Sequence, residues 1–129
     1  MTKKPNIVLF FADDQRHNTI AALGNKEIGA ICMLNRAMLH TWRTLFHLYR
    51  EGQQIPSEHV MLGEALQESG YRTFGTGKWH NGSSSYARSF TDGGEIFFGG
   101  MQDHWNVPAH RFDPTGEYVS RTVKKLLTT

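Results

Sequence analysis

The residues best equipped for chemistry lie in the run Gly77-Lys78-Trp79-His80-Asn81-Gly82. It sets an ammonium and an imidazole two positions apart, just beyond Tyr71 to Gly77, whose alternation reads as a strand. Functional groups collect where a chain leaves a sheet. The same pair also suits a solvated loop. A second candidate group is Asp13-Asp14, which follows the apolar run Ile7-Val8-Leu9-Phe10-Phe11. Open α/β sheets bind ligands past the carboxyl ends of their strands, and a turning backbone there lets neighbouring carboxylates converge. Either aspartate also suits a cap of the following turn.

The elements that must position these groups follow from hydrophobic periodicity. Asn6 to Ala12 is continuously apolar, which predicts a strand covered on both faces, as in a parallel sheet. Ile31 to Arg50 predicts a helix with Ile31, Leu34, Met38, Trp42, Leu45 and Tyr49 on its apolar face. Arg36, His40, Arg43, His47 and Arg50 then form a solvated basic face, and Cys32 is a small buried residue near the start. Ser57 suits an N-cap for a helix over 58–69 that stops at Gly70. The order strand, helix, helix, strand describes an α/β chain with a crossover. Asn81 to Gly116 reads as a long loop-rich region, and Val119 to Leu127 as a short last helix. Asp103, His104, His110 and Asp113 have no compact metal-ligand spacing.

Composition bounds the function more loosely. With 129 residues, the chain is one small domain or part of a larger one. A charged fraction of 20% and a net charge of +2 give no case for a nucleic-acid partner. A single cysteine excludes an internal disulfide, so nothing demands an oxidising compartment. The basic start is followed by an apolar stretch too short for a signal peptide, and no run approaches a membrane span. The expectation is a soluble, cytoplasmic chain with no membrane partner. Nothing in the sequence speaks to oligomeric state.

Three blocks together resemble the N-terminal part of the sulfatase family. Lys4 to Gln15 looks like the family's opening strand and metal-binding Asp pair. Cys32 to Thr41 falls where the family carries C-x-P-S-R followed by A-x-x-x-T-G, and Leu66 to His80 looks like G-Y-x-T and G-K-W-H. The resemblance covers residues 4 to about 118. It implies part of an alkaline-phosphatase-like α/β fold, with a mostly parallel sheet flanked by helices. Residues 1–129 would then be a partial catalytic domain, with an α/β part at 1–80, a loop-rich part at 81–118 and a tail at 119–129.

The implied activity is hydrolysis of sulfuric esters. In the family the motif cysteine is oxidised to formylglycine, whose hydrate attacks sulfur. By resemblance Cys32, Arg36, Lys78 and His80 are catalytic, and Asp13 and Asp14 hold Ca2+ or Mg2+. The substrate is a sulfate ester, and a sulfated carbohydrate is one candidate because His104, Trp105 and His110 suit a sugar.

The sequence also departs from the family pattern. Leu34 and Asn35 replace the Pro and Ser that follow the cysteine, which argues against formylglycine at Cys32, and Trp42 replaces a Gly. Losing both helix breakers predicts a longer helix that buries Cys32. Six residues separate Asn25 from Cys32, where the family has some tens, so an internal deletion is expected. The family also continues for several hundred residues beyond the match and supplies further metal ligands there. A calcium ion wants six to eight oxygens, so weak metal binding and little or no turnover are expected of this chain alone. Two alternatives stay open. One is a phosphate or phosphonate ester hydrolase of the same superfamily. The other is a non-catalytic binding fragment that uses the aromatic loop Phe97 to Trp105 or the basic helix.

Overall fold

In chain order the elements are α1 (Cys32–Thr41), α2 (Leu62–Glu68), β1 (Phe74–Lys78), α3 (Ser83–Ser89), β2 (Asp92–Phe97), β3 (Pro108–Ala109) and β4 (Lys124–Lys125). They come from a computed structural model that describes residues 3–11, 32–43, 54–99, 107–118 and 124–125. The chain divides into two units, Met1–Cys32 and Met33–Thr129. It is a mixed α/β protein, and among the described residues no helix is long and apolar enough to cross a membrane.

In the first unit, residues 3–11 form no strand. Ile7 to Phe11 are 44–91% exposed, which overturns the buried strand expected there. A continuous apolar run is buried as a strand only when layers cover both faces of its sheet. The two sheets described are each two-stranded, β1 with β2 and β3 with β4, and this run belongs to neither.

The second unit is built on a parallel pairing of β1 with β2, joined by α3. The register runs from Phe74 opposite Asp92 to Lys78 opposite Phe97, and it shifts between Thr76 and Gly77. Glu95 is the extra residue of this bulge, with φ 48°, and Gly77, which pairs with Ile96, has φ 83°. Bulges redirect the side chains beside them, and this one falls one residue before Lys78. The ladder continues past β1 through Trp79 N–H, which donates to the Phe97 carbonyl at 2.7 Å. Beyond β2, Ile96 and His110 exchange two backbone bonds, and β3 pairs antiparallel with β4.

Trp79, Tyr86, Ile96, Met61, Ile55, Leu34 and Ala37 form the core. Trp79 meets Tyr86 and Phe90 edge to face, each with centroids 5.5 Å apart. Such pairs add about 0.5–1.5 kcal/mol beyond area burial. The Tyr86 hydroxyl donates to the Gly75 carbonyl at 2.8 Å, and burial, with Tyr118 and Asp92 nearby, pushes its ionisation well above the usual phenol range. Arg88 at the end of α3 pins the approach to α2. It pairs with Glu64 at 2.9 Å and donates to the carbonyls of Ile55, Pro56, Ser57 and His59.

Several sequence expectations shift. The helix expected over 58–69 begins at Leu62, and the Met61 N–H donates to Glu64 Oε2 rather than to a Ser57 cap. Its far end is as expected. Gly70 adopts φ 83°, and the Gly70 and Tyr71 N–H groups bond back to the Gln67 and Leu66 carbonyls, the pattern of a Schellman motif. The strand expected at Tyr71 to Gly77 begins at Phe74 and reaches Lys78. The 81–118 stretch, read as loop, holds α3, β2 and β3. Within the tail expected to be helical over 119–127, Lys124–Lys125 is a strand.

Candidate functional site

α1 delivers the first group of candidate residues. It runs only from Cys32 to Thr41, so the long helix expected from the loss of both breakers is corrected. The Thr41 hydroxyl folds back onto the Ala37 carbonyl at 2.7 Å, and Trp42 turns to φ 57°. That left-handed step is one that glycine takes freely and a tryptophan takes at a cost of about 1–2 kcal/mol. Helix ends commonly use such a residue, so the backbone breaks here even though the side chain disfavours it. Trp42 is also 81% exposed, not on a buried apolar face. Residues 44–50, which carry the rest of the expected helix, lie outside the described residues.

The basic face of α1 is not uniformly solvated either. Arg36 is only 6% exposed, and its guanidinium donates from Nη1 to the Lys78 carbonyl. A buried charge requires such partners. His40, one turn further along, lies against Trp79 with ring centroids 4.5 Å apart. Burial, and secondarily the Arg36 charge, pulls its pKa from 6.5 down to about 4, so the ring is neutral near pH 7.

The loop after β1 presents the second group. Lys78 is half-buried at the strand end and Trp79 is buried beneath the loop. The Trp79 indole donates to the Gly82 carbonyl at 2.7 Å and to Ser85 Oγ at 3.2 Å, which locks the ring beneath the loop. His80 follows at φ 66°, another left-handed step outside glycine. Its ring packs against Gly99, where an added Cβ would come within 2.3 Å of His80 Cδ2. Asn81 is fully buried, and its Nδ2 donates to the Met33 carbonyl at 2.7 Å.

Two bonds thus stitch the first turns of α1 to the β1 loop, Arg36 to Lys78 across 42 residues and Asn81 to Met33 across 48. Of the sequence candidates, Arg36, Lys78 and His80 are carried by these two joined segments. Cys32 is the first residue of α1, and nothing is described of its side chain. Asp13 and Asp14 lie outside the described residues. Among the described residues no group of three or more His, Cys, Asp or Glu could hold a metal ion, so no step is assigned to one. From sequence His40 was read only as part of a solvated basic face, and Asn81 and Gly99 were given no role. Only Asn81 carried a signal, its place directly after the Lys-Trp-His run.

No family model, no curated protein and no solved structure matches this chain.

Proposed function

We propose that this chain carries the anion-holding part of a sulfatase-type site for sulfuric esters, with little or no turnover of its own. Arg36 and Lys78 would face the sulfate group, His80 would hold or move a proton on the ester or its attacking oxygen, and Cys32 takes the nucleophile position. Asp13 and Asp14 are the proposed ligands of calcium or magnesium, and an alkaline-phosphatase-like fold belongs to the same proposal.

The observation that carries this reading is the joining of α1 to the Lys78–Asn81 loop by Arg36 and Asn81. A sulfate ester is an anion that repels nucleophiles, so hydrolysis needs fixed positive charge where negative charge grows. The two joined segments contribute one cation each, from sequence positions 42 residues apart. Slow turnover follows from two features. Arg36 spends part of its guanidinium on a backbone carbonyl, and Leu34-Asn35 replaces the Pro-Ser that accompanies cysteine conversion in sulfatases.

The test begins with co-expression with a formylglycine-generating enzyme, followed by mass analysis of the Cys32 peptide. Hydrolysis of an aryl sulfate is then assayed with and without calcium, and inorganic sulfate binding is measured on the same protein. The expected result is an unconverted cysteine, negligible turnover, and sulfate binding that Lys78→Met weakens about 10- to 100-fold. That is the worth of one charge-assisted contact of about 1.5–3 kcal/mol. Sulfate binding that is absent, or equal in Lys78→Met, would refute the site. A marked preference for phenylphosphonate over sulfate would move it to phosphate-type esters.

A further inference from the structure

Asn81 has features that its neighbours in the loop lack. It is entirely buried, and the two ends of the residue are tied to different elements. Its side-chain amide reaches across to the Met33 carbonyl in the first turn of α1, while its own carbonyl accepts from the Ser85 hydroxyl in α3. The residue before it is His80, and three residues before it the Lys78 carbonyl receives Arg36. Arg36 lies three residues along α1 from Met33, so one turn of helix is held at both ends by the same short loop.

Leu34 and Ala37 seat α1 in the core and His40 packs on Trp79, and the Arg36 bond ties the helix to the loop at one point. A second bond one turn away fixes its rotation, and fixed rotation is what sets a guanidinium relative to a neighbouring ammonium and imidazole. We infer that Asn81 is a positioning residue of the anion site, holding Arg36 at a set distance from Lys78 and His80 through the Met33 carbonyl. The inference rests on the anion site proposed above. Asn81 itself touches no substrate. Because effects of misplacement are steep, a shift of about 1 Å can cost about 100-fold in a positioned interaction.

The experiment titrates the labelled full chain with sodium sulfate and follows the His80 imidazole by NMR, with the Trp79 indole N–H as the report on the loop. That indole is bonded to Gly82 in the same loop and to Ser85 at the start of α3, so it registers local unfolding directly. The variants are Asn81→Ser, which shortens the donor, and Asn81→Leu, which removes it at similar size. In the native chain, bound sulfate is expected to raise the His80 titration midpoint. In at least one variant, sulfate affinity should fall about tenfold or more while the Trp79 indole resonance stays in place.

Native-like affinity in folded variants would overturn the positioning role while leaving the anion site standing. Joint loss of the indole signal and the sulfate response in both variants would overturn it too, and Asn81 would be a residue of the fold alone. No response of the native chain to sulfate would overturn the site and this inference together.

Discussion

Acid should weaken this protein through one identifiable ring. His40 has a folded-state pKa of about 4 against an ordinary 6.5, because it is half-buried against Trp79 with Arg36 nearby on the same helix. Between those two pH values the unfolded chain binds a proton at His40 and the folded chain does not. Stability therefore rises with pH across that window and falls as pH drops from about 6.5 to about 4. The slope is about 1.36 kcal/mol per pH unit, so the full loss approaches ~3 kcal/mol, a sizeable part of a small domain's stability. Below pH 4 this group contributes no further change.

The assay is urea unfolding followed by far-ultraviolet circular dichroism from pH 4 to 7, on the native chain and on His40→Phe. Phenylalanine keeps a ring against Trp79 and removes the titration, so the other histidines cancel in the difference. The variant should gain on the native chain by up to ~3 kcal/mol as pH falls from about 6.5 to about 4. Parallel pH profiles would refute the reasoning, as would a His40 titration midpoint near 6.5 in the folded chain.

Two other substitutions test local backbone claims. Trp42→Gly relieves a left-handed residue that is exposed, so it should raise stability by about 1 kcal/mol, read as a higher urea midpoint at unchanged slope. Gly99→Ala places a Cβ within 2.3 Å of the His80 ring at a φ of 98°, so it should cost about 1–3 kcal/mol. It should also shift the His80 imidazole resonances more than those of His110 in the same spectrum.

What the sequence revealed and what it hid divide along the range of the interactions. The strand leading to Lys78 and the glycine stop at Gly70 were legible, because alternation and a left-handed cap are local. Arg36 was misplaced on a solvated face because its partner, the Lys78 carbonyl, lies 42 residues away and no helical period reports it. His40 was placed there for the same reason, since Trp79 comes from the far side of α2 and β1 in sequence. β2 was hidden because Asp92-Gly93-Gly94-Glu95 has the composition of a turn. Ile7 to Phe11 failed in the opposite direction, since apolarity alone reads as burial whether or not the run joins a covered sheet.

The crossing of Tyr86 over the β1–β2 pair constrains how this sequence can vary. Gly75 and Gly93 face each other in the register, and a methyl on Gly93 would come within 2.0 Å of the Tyr86 hydroxyl, one on Gly75 within 2.7 Å. Neither glycine can therefore drift alone while the phenol occupies that space, and a smaller residue at position 86 would abandon the bond to the Gly75 carbonyl. Losing the tyrosine would not free the strands either, because a Cβ on Gly75 would still meet the Phe90 ring at 2.9 Å and one on Gly93 the Gly75 carbonyl oxygen at 2.9 Å.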